Sequence, residues 1–314
     1  MGKYISVVFA LNANQNTGAG HWMRCIQLAN EFVGAGHMVD FYGKVDIKWL
    51  AQVHCNSSMG RKYNPHFKYD LLIVDSYSQK FISQAVSRIR HGKSIQVLDS
   101  ASPINQFDGA IWADPNPVPS KLLQRTRLIE KGPILLTPTS SPVFNPHPNP
   151  NEILITLGGN PSDELVRMVL EQISAPQFDK FSFNLFSNTS KFMSPKNNLK
   201  KFPLSLELDS IAARSGTVIT NAGTSLWKFI ALKKAIGMIK VAGNQQANYE
   251  YALKNGLALP IADYVESCEF DTSALLSLVL DKATRDNMNF CQSKFLANQE
   301  SSLLISKIVN FTVT

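Results

Sequence analysis

Apolar residues in this chain come in short runs that end at glycine or at an acid, and stretches of helical spacing separate them. The first run, residues 4–10, is β-branched and aromatic and predicts a buried strand. Residues 20–35 follow with Trp22, Ile26, Ala29 and Phe32–Val33 on one side, the spacing of a helix that Gly34 and Gly36 stop. Met38–Tyr42 predicts the next strand. Leu71 to Val74 are apolar without interruption and lead into Asp75, and Ser94–Leu98 lead into Asp99 in the same way. Runs of this kind belong to parallel strands covered on both faces that emerge at their C-terminal ends.

The pattern breaks at residues 137–151, where five prolines exclude a regular helix or a central strand. It restarts at Glu152–Gly159 with a strand and a glycine turn. Further strands are predicted at 181–187, 217–220 and 236–241, and helices at 162–173, 224–234, 245–254 and 272–282. Residues 284–310 are helical in pattern and could pack back on the first half. The reading is an α/β protein of two Rossmann-like domains: residues 1–144, a proline-rich linker at 145–151, and residues 152–314. A length of 314 residues agrees with two cores.

Composition changes this picture little. Charged residues at 18% are ordinary for a globular chain, and no apolar run approaches the length of a membrane span. The apolar start lacks a cleavage site and reads as a strand, not a signal peptide. Cys25, Cys55, Cys268 and Cys291 are scattered, which argues against a disulfide framework or a zinc site and points to the cytoplasm. A net charge of +7 suits a phosphorylated ligand and equally a peripheral contact with an anionic membrane. No long basic block is present, so nucleic acid is not an expected partner, and Lys196, Lys200 and Lys201 read as a solvated loop.

Five segments carry candidate chemistry. Thr17-Gly18-Ala19-Gly20-His21-Trp22-Met23-Arg24 joins the first strand to the first helix. Its glycines allow a sharp turn and close approach of a ligand, and His21 falls at the helix N-terminus, where the dipole disfavours imidazolium and leaves a ring able to act as a base. A plain glycine turn with a capping histidine fits the same spacing. Asp75-Ser76-Tyr77 leaves a buried strand; Asp75 could orient His21 or an attacking water, or cap the helix near Ser78, and Tyr77 could hydrogen-bond a sugar oxygen. Gly158-Gly159-Asn160 opens a helix whose N–H groups could face an anion, or is a simple turn. Asn221-Ala222-Gly223-Thr224-Ser225 precedes another helix, with two hydroxyls and a dipole suited to a diphosphate, and Lys228 one turn in, reaching a phosphate or solvent. Asn244-Gln245 starts a helix after a buried strand and could bind a sugar or base, or cap the helix through Asn244.

In this order and spacing, the segments resemble the UDP-sugar hydrolases of the pseudaminic acid pathway, relatives of GT-B glycosyltransferases of the lipid II-forming type. The shared residues are Gly18, Gly20, His21 and Arg24; Asp75 and Tyr77; Gly158 and Gly159; Ala222 to Ser225; and Asn244, Gln245 and Gly256. Lys131-Gly132-Pro133 with Pro142-Val143-Phe144 is similar to the segment before that family's linker. The resemblance spans nearly the whole chain. It implies a GT-B fold with two parallel sheets facing across a cleft, a nucleotide-sugar substrate, no cofactor and no metal. His21 would then deprotonate a water that attacks the anomeric carbon with inversion, Asp75 and Tyr77 would position water and sugar, and Gly18, Gly20, Arg24, Gly158, Gly159, Asn160, Gly223, Thr224, Ser225, Lys228, Asn244 and Gln245 would bind substrate and nucleotide. Three positions depart from that pattern: Lys228 stands where the family usually carries a ribose-binding Glu, Ser100 where an Asp follows the strand, and Ser141 where an Arg precedes Pro142. Lys228 leaves the nucleotide open. A glycosyltransferase with a capsule or O-antigen glycan as acceptor, and a non-catalytic nucleotide-binding protein, are the alternatives.

Overall fold

The computed structural model describes residues 3–12, 20–44, 61–133, 148–159, 161–187, 198–203, 208–267, 269–297 and 303–314. The chain divides into two compact units, Met1–Thr137 with Gln299–Thr314, and Pro138–Asn298.

Unit 1 is built on seven parallel strands in the order β3-β2-β1-β4-β5-β6-β7. These are β1 (Ser6–Leu11), β2 (Met38–Tyr42), β3 (Arg61–Lys62), β4 (Tyr69–Asp75), β5 (His91–Leu98), β6 (Gly109–Trp112) and β7 (Arg127–Lys131). The uninterrupted apolar runs arise because both faces are covered. Val7, Phe9 and Leu11 pack with Leu71, Ile73, Ile95 and Val97 against the helix Gly20–Gly34, whereas Val8, Ala10, Leu72 and Val74 face Phe81, Ile82 and Ala85 of the helix Gln79–Arg88. Register between neighbours is reinforced by two matching side-chain staples. Asp70 Oδ2 accepts from Ser6 N–H and Oγ (2.7 and 2.8 Å), and Asp108 Oδ2 accepts from Ser94 N–H and Oγ (2.7 and 2.8 Å).

The helical pattern predicted over 284–310 resolves into two helices with different homes. Lys282–Ala297 belongs to unit 2, where Gln292 donates to the carbonyls of Lys234 and Leu257. Leu304–Val313 joins the core of unit 1 through Leu304, Ile308 and Phe311. Phe311 needs Gly109 beneath it, since a β-carbon there would lie 2.9 Å from the Phe311 ring. Lys93 Nζ donates to the Phe311 carbonyl at 3.1 Å and sits 4.9 Å from the ring centroid, so a cation meets the negative end of this helix.

Unit 2 repeats the plan with the order β10-β9-β8-β11-β12-β13-β14, parallel except for the last pair. Its strands are β8 (Asn149–Thr156), β9 (Ser182–Phe186), β10 (Leu199–Phe202), β11 (Ser215–Asn221), β12 (Ala235–Lys240), β13 (Leu259–Asp263) and β14 (Glu269–Phe270). Strand β8 is an interior strand and takes in Pro150, against the expectation that residues up to 151 form only linker. Pro150 is accommodated because it lies at the exposed start, where the pairing with β11 slips between Ser215 and Thr217. Residues 145–147 of the expected linker lie outside the described residues.

Two outcomes test this packing. Phe311→Ala is expected to cost unit 1 about 3 kcal/mol, read as a lower urea midpoint for its unfolding transition. In unit 2, Lys234 is buried with Nζ donating to the carbonyls of Ala213 and Ser215 (2.7 and 3.0 Å), and burial pulls its pKa down from 10.5 to about 8. Between those values the unfolded chain holds a proton that the folded chain lacks, so stability rises as pH rises through this window. Thermal unfolding of Lys234→Met should show a flatter dependence there than the wild-type chain.

Candidate active site

Three side chains of the first helix converge on one carboxylate. His21, Arg24 and Cys25 occupy positions i, i+3 and i+4, which share a helix face. That face looks onto the C-terminal end of β4, where Asp75 is wholly buried. His21 Nδ1 lies 2.5 Å from Asp75 Oδ1, Arg24 Nη2 donates to the same oxygen at 2.5 Å, Arg24 Nε donates to Oδ2, and the Cys25 thiol reaches Oδ2 at 3.5 Å. Burial opposes the charge on Asp75, but Arg24 and the donated hydrogens outweigh it and hold the carboxyl well below its ordinary range. Burial, and then Asp75, push the Cys25 thiol up, so it stays a donor.

An ionised Asp75 can only accept, so in the neutral imidazole the hydrogen sits on Nδ1 and Nε2 carries the lone pair. The 3.0 Å approach of Arg24 Nη2 to Nδ1 is then a contact between two donors held to one oxygen. Nε2 is buried with no hydrogen-bond partner among the described residues. An unpaired buried acceptor costs about 1–3 kcal/mol, a cost that functional sites tolerate.

The third Arg24 nitrogen, Nη1, donates to Asp99 Oδ2 at 3.1 Å, and the Tyr77 hydroxyl donates to the same oxygen at 2.7 Å. Asp99 directly follows β5, the neighbour of β4, and lies diagonally across from Asp75, which falls opposite Val97. The Tyr77 ring meets the His21 ring edge-on, with centroids 4.3 Å apart.

This geometry corrects several expectations. Asp75 has no lone pair left for a water and does not cap the following helix, whose cap is Ser78 accepting from Phe81 N–H. Arg24, expected among the substrate ligands, is buried and spent on two carboxylates. Asp99 was noted only as a strand-ending acid; its signal was that it repeats the apolar-run-then-acid pattern of Asp75 one strand over. Gly20 opens the helix, and Gly18 lies outside the described residues.

In unit 2 the two glycine turns differ electrostatically. The helix Asp163–Ile173 after Gly158-Gly159 is capped by Ser162, which accepts from Leu165 N–H, and carries Asp163 and Glu164 in its first turn, an arrangement that repels an anion. The helix Thr224–Ala231 has no side-chain cap from Gly223 and no acid in its first turn, and its turn is latched by Asn248, which donates to the Ala222 carbonyl at 3.1 Å. A β-carbon at Gly158 or at Gly223 would come within 3.1 Å of the Asn221 amide nitrogen, so the two turns share that side chain between them. Lys228, expected to reach a phosphate or solvent, is ion-paired with Asp209. Gln245, expected to face a ligand, is buried and accepts from Val241 N–H at 3.1 Å, while Asn244 is exposed and caps no helix. Asn160 lies outside the described residues. Two surface grooves of about 380 and 280 Å³ flank β7, lined by residues such as Leu123, Ile129 and Phe311, and neither includes a residue of these constellations. Among the described residues, no three His, Cys, Asp or Glu gather to hold a metal, and no helix is long and apolar enough to cross a membrane.

No family model matches the chain, and no curated protein matches it in sequence. Solved structures do match in fold. The spinosyn forosaminyltransferase SpnP superposes with a TM-score of 0.67 at 12% identity, covering 99% of this chain and 100% of that one. Arabidopsis thaliana UGT89C1, complexed with UDP-L-rhamnose, gives 0.65 at 13% identity and 99% of both chains. Acinetobacter baumannii MurG gives 0.61 at 11% identity, with 98% and 99% covered. These are glycosyltransferases, and the fold of this chain is GT-B. The narrower resemblance to pseudaminic-acid hydrolases gains no support from them.

One outcome follows from the charge geometry alone. Arg24→Leu leaves Asp75 and Asp99 buried without their cation and is expected to cost about 3–5 kcal/mol of unit 1 stability, read by chemical denaturation.

Proposed function

We propose that this chain is a glycosyltransferase that moves a sugar from a nucleotide donor to a hydroxyl acceptor, with His21 as general base. The observation that carries the proposal is the buried Nε2, without a partner among the described residues, of a histidine whose Nδ1 is fixed by Asp75. Nε2 would take the acceptor's proton while its oxygen bonds to the anomeric carbon. The bond from that carbon to the diphosphate breaks on the opposite face, and the electron pair leaves with the nucleoside diphosphate. Around the ring, one guanidinium faces two carboxylates, so the imidazolium formed in this step balances a net negative charge. The open turn at Gly223, Thr224 and Ser225 would receive the diphosphate on backbone N–H groups and hydroxyls, because nothing in that first turn competes for them. The nucleotide-sugar donors of the structural neighbours support this reading at the level of fold.

Hydrolysis is the second reading, favoured by the motif His21, Arg24, Asp75 and Tyr77 that resembles the sugar-nucleotide hydrolases. The two separate on acceptor dependence. With UDP-N-acetylglucosamine and other UDP-N-acetylhexosamines, release of UDP should require an added glycan acceptor, and His21→Ala should lower the rate by about 10²–10⁴-fold. Release of UDP at the same rate without acceptor would turn the assignment to hydrolysis. No release under either condition, with no thermal shift from UDP, CMP or GDP, would defeat both.

A further inference from the structure

Asp99 receives four hydrogens. Ala101 N–H and Ser102 Oγ donate to Oδ1 at 3.1 and 2.9 Å, and Arg24 Nη1 and the Tyr77 hydroxyl donate to Oδ2 at 3.1 and 2.7 Å. The loop carrying these donors is itself pinned, because Gln96 donates to the Pro103 carbonyl at 2.8 Å and accepts from Asn105 N–H at 3.2 Å. Burial works against the charge on Asp99, but Arg24 and the Tyr77 hydroxyl hold the carboxyl below its ordinary value. An ionised carboxylate has no hydrogen to give, so the one proton of the Tyr77 phenol is committed to Asp99. What Tyr77 offers elsewhere is a lone pair.

We propose that Asp99 is a positioning residue that turns Tyr77 into a hydrogen-bond acceptor toward the ligand, so that this part of the site recognises an O–H or N–H donor of the sugar or acceptor and disfavours an ether or carbonyl oxygen in its place. The proposal rests on the reading of the site given above and sharpens it. The sequence allows Tyr77 a hydrogen bond with a sugar oxygen; the Asp99 contact would give that bond a direction. With Nε2 of His21 also a lone pair, these two atoms are both acceptors.

Two measurements test this. The tyrosinate absorbance of the wild-type chain minus that of Tyr77→Phe isolates Tyr77, which faces Asp99, Arg24, Asp75 and His21. Burial and then Asp99 push its phenol up, so it should stay protonated through the range near pH 10 where ordinary tyrosines ionise. In Asp99→Asn it should ionise about ten-fold more readily or better. Ionisation of Tyr77 together with ordinary tyrosines in the wild-type chain overturns the proposal, and that comparison stands even if Asp99→Asn does not fold. The second measurement uses UDP-N-acetylglucosamine and its singly deoxygenated sugar analogues, with the acceptor and its analogues. Tyr77→Phe should lose about ten-fold in kcat/KM, and the loss should vanish for the one analogue that lacks the donor. A loss that persists with every analogue, or no loss with any, overturns the recognition role. Absence of all turnover would count against transfer and hydrolysis alike, while the titration decides the direction of the Tyr77 bond without substrate.

Discussion

The guanidinium of Arg24 lies between two carboxylates that the sheet itself forces together. Strands β4 and β5 are paired neighbours with Val74 opposite Gln96, so Asp75 falls opposite Val97 and Asp99, just past the end of β5, is its diagonal neighbour two residues on. Two like charges this close and this shielded from water disfavour each other's ionisation. Arg24 binds Asp75 through Nε and Nη2 and Asp99 through Nη1, so each of its three nitrogens is used. A lysine could not reproduce this, because a single ammonium lacks the planar fork that meets one carboxylate twice and another once. The polar atoms of His21 and Tyr77 depend on this arrangement. Asp75, kept ionised, sets the tautomer of His21; Asp99, kept ionised, accepts the hydrogen bond of Tyr77.

Unit 2 uses the opposite device. Its glycine turn at Gly223 leaves a helix N-terminus without a side-chain cap, where in unit 1 Arg24, Asp75 and Asp99 satisfy one another. The contrast with the neighbouring turn is informative, since Gly158-Gly159 leads into a helix whose Ser162 cap and acidic first turn already meet the dipole. Two segments that look alike as strings of small residues therefore differ in what they can accept. Lys228 adds no positive charge to the open turn, being neutralised by Asp209.

Much of this was legible in the sequence, for a physical reason. Strands covered on both faces give unbroken apolar runs, and a contact of Asp75 with His21 was one of the arrangements that position allows. What escaped were partnerships set by side-chain reach. Arg24 was assigned to a ligand because its motif carries it there, but its helical offset of three from His21 turns it onto Asp75. Lys228 and Gln245 were assigned to a nucleotide, and each found a nearer partner, one from the helix Leu208–Arg214 and one from its own turn. The end of the chain read as one helix, whereas Lys282–Ala297 belongs to unit 2 and Leu304–Val313 joins the core of unit 1.

The acceptor character of His21 and Tyr77 bears on which sugar chemistry the proposed reading can include. Cleaving an ordinary glycosidic bond requires an acid that protonates the departing alkoxide, and such sites pair a protonated carboxyl with an ionised one. Here both carboxyls are held ionised by one guanidinium, the phenol proton is committed to Asp99, and the imidazole presents a lone pair. None of these groups has a proton ready for a leaving group. A diphosphate needs none, because it departs as an anion and is stabilised by N–H donors such as an uncapped helix N-terminus supplies. A lone pair at His21 and a helix N-terminus without a side-chain cap at Gly223 therefore each suit the proposed reaction of a sugar already activated at phosphate.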